Sequence, residues 1–304
     1  MSAASRHAQA TPGRQRGIAL IMVLWILLLV TISTSAYTLM ARMDTLEAHT
    51  VLSGTQARMA AEAGLNLAVL SLRDPDETTR LIPDGRPYVI DYRGISVEVQ
   101  VTDERGKLDI NQANEDTLIE LLTGHGMEEG DAELLAAAIK DWTDVDEIMR
   151  ANGAELPNYE ALGLGVGPGN RDFLMTEELL QVMGMPWELY VKMEPGITVF
   201  SNAGQPDPAF APVEALLALP DMTEEEALNF VEQRHSDTSS DGTTPALPGG
   251  QTAVVRGRGL TYSILAKATL PNGVWDQVEA TIRLGGSRQG LPYRVLRWRE
   301  GFHH

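Results

Sequence analysis

The 304-residue sequence predicts an α+β protein: one long N-terminal helix laid against an antiparallel β-sheet, with a large all-α domain inserted between strands. Three observations carry this. No charge interrupts residues 17–41, and helical spacing then runs on to Leu72. Strict alternation of apolar and polar residues begins at Ile95, and a second strand pair lies near the C-terminal end, so one sheet is split in the sequence. Between the two parts, from Asp103 to His235, stand 28 Asp and Glu against 7 Lys and Arg, a net of −21 in a chain whose total is −18.

The first element starts at Arg14-Gln15-Arg16-Gly17, directly before Ile18-Ala-Leu-Ile-Met-Val-Leu-Trp-Ile-Leu-Leu-Leu-Val30. As a helix, residues 18–41 would be about 36 Å long, enough to cross a bilayer core with some tilt. The basic flank keeps the N-terminus cytoplasmic and places everything after the helix outside. Three segment types share this pattern. A secretory signal peptide would be cut near Thr31-Ile-Ser-Thr-Ser-Ala36. A plain membrane anchor would need no boundary at Gly17. A type IV pilin-like signal would be cut after Gly17, leaving Ile18 as the first mature residue and the apolar helix in place. Residues 42–72 favour the last type. They contain no proline, and Met43, Leu46, Leu52, Met59, Ala63, Leu67 and Leu70 recur near helical spacing among charged residues, so the helix carries on for many turns. Residues 1–17 are then a cleaved leader, 18–41 a transmembrane helix and 42–73 its amphipathic continuation, stopped at Asp74-Pro75.

Residues 74–103 form the first part of the sheet, with strands at 88–92 and 94–102 turning at Arg93-Gly94. Ile95, Val97, Val99 and Val101 face one way, and Ser96, Glu98 and Gln100 the other. Residues 251–301 supply the second part. Strands at 260–270 and 274–284 flank Pro271-Asn272-Gly273, where Asn-Gly tolerates the positive φ of a tight hairpin, and 293–299 closes the sheet. Residues 104–238 are the acidic helical insertion, and 239–250, rich in Ser, Thr, Gly and Pro, read as a flexible linker. Inside the insertion, Lys107-Leu-Asp-Ile-Asn-Gln-Ala113 and Ile197-Thr-Val-Phe-Ser-Asn-Ala203 each lead into a leucine-rich helix and then a second helix. This is a weak repeat of two helical modules resembling helix-hairpin-helix or SAM-type units.

Several classes of chemistry are excluded. With no cysteine there is no disulfide, thiolate metal site or cysteine nucleophile. The six histidines show no HExxH or comparable spacing, and there is no GxSxG elbow, P-loop or GxGxxG motif. Helix-hairpin-helix units can bind DNA backbone, so a membrane-anchored DNA-binding or DNA-uptake protein is the alternative reading. The hairpin positions, however, carry Gly124-His-Gly126-Met-Glu-Glu129 and Pro220-Asp-Met-Thr-Glu-Glu-Glu226, the wrong sign for phosphate contact. No nucleic-acid partner is expected, and the modules read as units for protein contacts.

One acidic constellation stands out. Asp141-Trp-Thr-Asp144-Val-Asp146-Glu147 is followed, after a short loop, by Asn152-Gly153-Ala-Glu155. Carboxylates at alternate positions plus one returned by a glycine turn can gather oxygen ligands around Ca2+. The spacing is not that of an EF-hand, and in so acidic a segment a solvated face explains the same residues.

Together these pieces resemble the GspK family, the large minor pseudopilin of the bacterial type II secretion system. The resemblance rests on Arg16-Gly17-Ile-Ala-Leu-Ile-Met-Val-Leu-Trp25, Asp103-Glu-Arg-Gly-Lys-Leu-Asp-Ile-Asn111-Gln-Ala, Asp141-Trp-Thr-Asp-Val-Asp146, Thr176-Glu-Glu-Leu-Leu180 and Tyr293-Arg-Val-Leu-Arg-Trp298, and spans nearly the whole chain. It implies a pilin-like fold, no enzymatic activity, and processing by prepilin peptidase between Gly17 and Ile18 with methylation of the new amine. It further implies residence in the inner membrane with the C-terminal domain in the periplasm, and calcium bound in the insertion. The partners it implies are minor pseudopilins I and J, possibly H, the major pseudopilin and the inner-membrane assembly platform. Asp144, Asp146 and Glu155 are the first candidate ligands, followed by Asp141 and Glu147. The family continues with further acids after the position of Glu155, whereas here Leu156-Pro157-Asn158 follows, which leaves one ligand open between Glu155, Asn158 and Glu160. The fifth mature residue would be Met22. Most pilins have a glutamate there that neutralises a neighbour's N-terminal amine, so its absence suits a subunit with nothing above it.

Overall fold

A computed structural model describes residues 16–76, 79–236, 243–247, 252–254, 259–285 and 292–301. The chain divides into two units, one ending at Thr55 and one beginning at Gln56. Residues 1–15 of the expected leader lie outside the described residues, as do 239–242 and 248–250 of the expected linker.

Helix α1 (Arg16–Leu72) runs without a break through the predicted apolar and amphipathic segments. In the first unit its large apolar side chains from Ile18 to Leu52 are exposed, and it is the one helix among the described residues long and apolar enough to cross a membrane. Thr34, Thr38, Thr45, Thr50 and Thr55 each donate a hydroxyl hydrogen bond to the carbonyl four residues earlier, so these polar side chains are satisfied by the helix itself.

The second unit opens with the last turns of α1. Strands β1 (Asp84–Tyr92) and β2 (Ile95–Asp103) follow, then the insertion, which begins at a single 3-10 turn (Glu104–Gly106) and short strand β3 (Leu108–Asp109). Its helices are α2 (Glu115–Gly124), α3 (Glu129–Thr143), α4 (Leu156–Ala161), α5 (Trp187–Met193), α6 (Val213–Leu216) and α7 (Glu224–Ser236), with strand β4 (Ile197–Thr198) between α5 and α6. Strands β5 (Thr243–Ala246) and β6 (Thr252–Val254) pair in the stretch that its composition marks as linker and just beyond it. Strands β7 (Thr261–Thr269), β8 (Trp275–Leu284) and β9 (Tyr293–Glu300) complete the fold.

The main sheet is antiparallel in the order β1-β2-β7-β8-β9. Strands far apart in sequence are therefore neighbours: Ser96 faces Thr269 and Asp103 faces Tyr262, so the insertion leaves and re-enters the sheet at adjacent points. The alternation at 95–101 decides which face is covered. Val97, Val99 and Val101 join Ile264, Ala266, Val278, Ala280 and Ile282 in one core with Ala60, Ala61, Leu65, Ala68, Val69 and Leu72 of α1. Small residues on α1 let its backbone come close. A Cβ at Gly64 would stand 2.4 Å from a methyl of Val97.

The insertion has its own core, centred on Leu118, Leu121, Leu122, Leu135, Ile139, Trp142, Tyr159, Phe173 and Leu179. The two predicted repeat starts lie side by side. β3 and β4 pair in parallel, Leu108 against Ile197, and the Asn202 amide donates to the Asp109 carboxylate at 2.8 Å. α2 and α3 follow the first, and α6 and α7 the second.

Candidate metal centre

The C-terminal end of α3 builds the acidic site. Asp141 and Trp142 lie on its buried face, and Trp142 stacks on Phe173 with ring centroids 6.1 Å apart and 2° between planes, with Tyr159 tilted against it at 6.0 Å. The Tyr159 hydroxyl accepts the Met183 amide at 3.0 Å, so this aromatic platform fixes the floor of the site. Asp144 ends the helix, and the chain loops out through exposed Asp146 and Glu147 before returning at Asn152-Gly153. Asn152 takes a positive φ of 67°. Gly153 passes so close to Asp141 that a Cβ there would lie 1.9 Å from the carboxylate, which only glycine avoids. Glu155 then precedes α4 as its N-cap, with Asn158 Oδ1 accepting the Glu155 amide at 3.1 Å.

Four of the five sequence-predicted ligands feel one another. Burial, and then the Asp144 charge, pushes the Asp141 carboxyl above its usual range, against the Arg150 amide that donates to it. Burial also raises Glu155, with further contributions from Asp141, Asp144 and Asp146. Glu147 is exposed on the loop. One basic residue answers this cluster. Arg150 Nε lies 3.1 Å from Asp141 Oδ1, and Nη2 lies 2.8 Å from Asp144 Oδ2. Asp144 Oδ1 and Glu155 Oε1 are buried without a hydrogen-bond partner.

These residues suit a hard divalent cation in kind: oxygen donors, mutual repulsion that a cation would relieve, and two orphaned carboxylate oxygens. As arranged, with the guanidinium between Asp141 and Asp144, no three Asp, Glu or His among the described residues converge closely enough to hold an ion.

Two further charged clusters carried no site reading in the sequence, although Glu104 and Lys107 stand inside a segment on which the resemblance rests. Arg234, near the end of α7, is buried and donates to the carbonyls of Pro208 (2.7 Å), Ala211 (2.9 Å) and Asp84 (3.1 Å). Burial lowers its pKa to about 10, and Asp84, itself clamped by Arg86 at 2.8 Å, opposes that. At the 3-10 turn, buried Glu104 meets Lys107 at 3.0 Å and accepts the Ser263 hydroxyl at 2.6 Å and the Thr198 hydroxyl. Both clusters join the insertion to the sheet.

A family model described as type II secretion system (T2SS), protein K, matches residues 95–202. Type II secretion system protein K of Klebsiella pneumoniae is 28% identical over 80% of this chain and 83% of its own length. The protein K of Pectobacterium carotovorum subsp. carotovorum is 29% identical over 73% and 76%. Among solved structures, a chain of the GspK-GspI-GspJ complex from enterotoxigenic Escherichia coli matches with a TM-score of 0.56 and 16% identity, covering 86% of this chain and 99% of that one.

Proposed function

The chain belongs to the type II secretion system protein K family, and from that premise we propose that it is the minor pseudopilin at the tip of the pseudopilus, where it nucleates or caps assembly. The observation that carries this is the unbroken helix from Arg16 to Leu72. A cut near Ala36 would sever that helix within its apolar half, whereas a cut between Gly17 and Ile18 keeps the apolar half joined to the turns that pack on the sheet.

On this reading prepilin peptidase removes residues 1–17, and residues 18–41 anchor the protein in the inner membrane with the sheet and insertion in the periplasm. The assembly platform then draws the helix into the bundle beside the major pseudopilin. Minor pseudopilins I and J are its direct partners, by analogy with the complex of the similar E. coli chain. The insertion's paired modules serve as a protein-packing unit, and their bulk blocks a subunit above. Met22 supports that end position, since it offers no carboxylate to a neighbour's amine. Calcium is held by Asp144, Asp146 and Glu155 with Asp141, and it neutralises a cluster that burial alone makes costly.

N-terminal sequencing of the mature protein tests the reading. The expected start is a methylated Ile18, and a start beyond Ala36 refutes it. Excision of the insertion, with β2 joined to β7 through a tight turn, is expected to give abnormally long pseudopili, and unchanged length removes the capping role.

A further inference from the structure

We propose that Arg150 is a built-in, displaceable cation that competes with a divalent metal for Asp141 and Asp144 and so sets the affinity of the site. The inference rests on the calcium reading above and extends it to a residue outside the ligand set.

The geometry is specific. The guanidinium sits on one oxygen of each aspartate, at 3.1 and 2.8 Å, and the Arg150 main-chain amide also approaches the Asp141 carboxylate at 3.2 Å. Backbone and side chain thus play separable parts. The amide shapes the loop around Asp141 whatever side chain follows it, while the guanidinium supplies charge. That charge is partial cover only. Asp144 Oδ1 and Glu155 Oε1 keep no partner, and Glu155 is 5% exposed. One monovalent group therefore stands among four carboxylates that repel one another, a poorer match than a divalent ion with several oxygen ligands.

Arg150 can leave. Its side chain is 42% exposed, against 0% for Asp141 and 19% for Asp144, so it reaches the cluster from the solvent side on a long stem. Metal entry then exchanges one cation for another: the guanidinium swings into water, and the carboxylates, which do not converge on one point while it is in place, draw together on the ion. The metal-free protein never exposes the full repulsion, and the metal must outcompete an intramolecular partner. Both effects weaken and tune binding.

The test is calcium titration of the full-length protein in detergent micelles, by isothermal calorimetry with CaCl2, for wild type, Arg150→Gln, Arg150→Lys and Asp144→Asn. We expect Arg150→Gln to bind about tenfold more tightly than wild type, roughly 1.4 kcal/mol, Arg150→Lys to fall between them, and Asp144→Asn to lose binding. Equal affinities for wild type and Arg150→Gln, or weaker binding by the glutamine variant, overturn the competition while leaving the calcium site intact. No heat from any of the four proteins overturns both the site and the competition. Circular dichroism of each variant at 20 °C identifies any that has not folded, and Arg150→Lys, which keeps charge and stem, then carries the comparison.

Discussion

Gly64 offers the sharpest check on how α1 meets the sheet. Its position in the helix faces β2, and a methyl added there would lie 2.4 Å from Val97 Cγ1 and 3.3 Å from Val99 Cγ2. Ordinary contact begins near 3.4 Å, so helix and strand must part by about 1 Å. Val97 cannot yield by a rotamer change, because it is β-branched and fully buried between α1 and the sheet. Overpacking of this kind costs roughly 1–3 kcal/mol, and alanine in place of glycine returns about 1 kcal/mol through helix propensity. Gly64→Ala should therefore destabilise by about 1 kcal/mol. In a unit of this size that lowers the melting temperature by roughly 2–4 °C in thermal unfolding followed by circular dichroism. A thermodynamic cycle with Val97→Ala isolates the clash. Removing the opposing methyls should leave the second alanine stabilising, with a coupling of at least about 1 kcal/mol. Gly64→Ala as stable as wild type, with no coupling to Val97, would refute the close approach.

Three further outcomes are expected. Arg234→Met strips donors from the buried carbonyls of Ala211 and Asp84 and the part-buried one of Pro208, and a partner from the Asp84 carboxylate, which keeps Arg86. It should cost about 3 kcal/mol and open the loop at 207–211 to protease before the sheet unfolds. A chelator should lower the melting temperature of the wild type, and Asp144→Ala should abolish that response. Acid should weaken calcium binding earlier than ordinary carboxylates would allow, because Asp141 and Glu155 hold protons above the usual range. The sign follows from linkage. Between the unfolded and the raised folded pKa the metal-free folded state carries more protons than the unfolded one, so falling pH stabilises it through these groups while displacing the ion. Melting curves with and without CaCl2 should converge as pH falls into the raised range of Asp141 and Glu155, and an undiminished calcium shift there would contradict the assignment.

The sheet was largely legible because its signals are local. Alternation fixed β2, and Asn272-Gly273 fixed the β7–β8 turn, where Gly273 has a φ of 84°. At Arg93-Gly94 both residues take positive φ, as a two-residue hairpin demands. β1 begins at Asp84, four residues before the predicted strand, because a bulge between Asp84 and Pro87 breaks the alternation on which reading depends. Pro87 is tolerated there because β1 is an edge strand. Thr243–Ala246 looked like linker because a short strand containing proline carries no periodicity. In the acidic site the carboxylates and Gly153 were visible as letters, but Arg150 was not. A lone arginine in an acidic run normally reads as a solvated charge, and only the fold brings it back onto Asp141 and Asp144.

Where the insertion is attached explains how so large a domain can sit inside a sheet without disturbing it. Asp103 and Tyr262 are direct partners across β2 and β7, so the sheet needs nothing from the intervening chain to keep its register. The insertion, in turn, is fastened by charges of two kinds. Glu104–Lys107–Ser263 and Arg234–Asp84 are buried, where salt screens little. Arg297 and Arg299 on β9 reach Glu177 and Glu194 of the insertion through partly exposed pairs of 2.6–3.0 Å, where it screens more. Rising ionic strength should thus loosen the β9 contact well before the junction at Glu104.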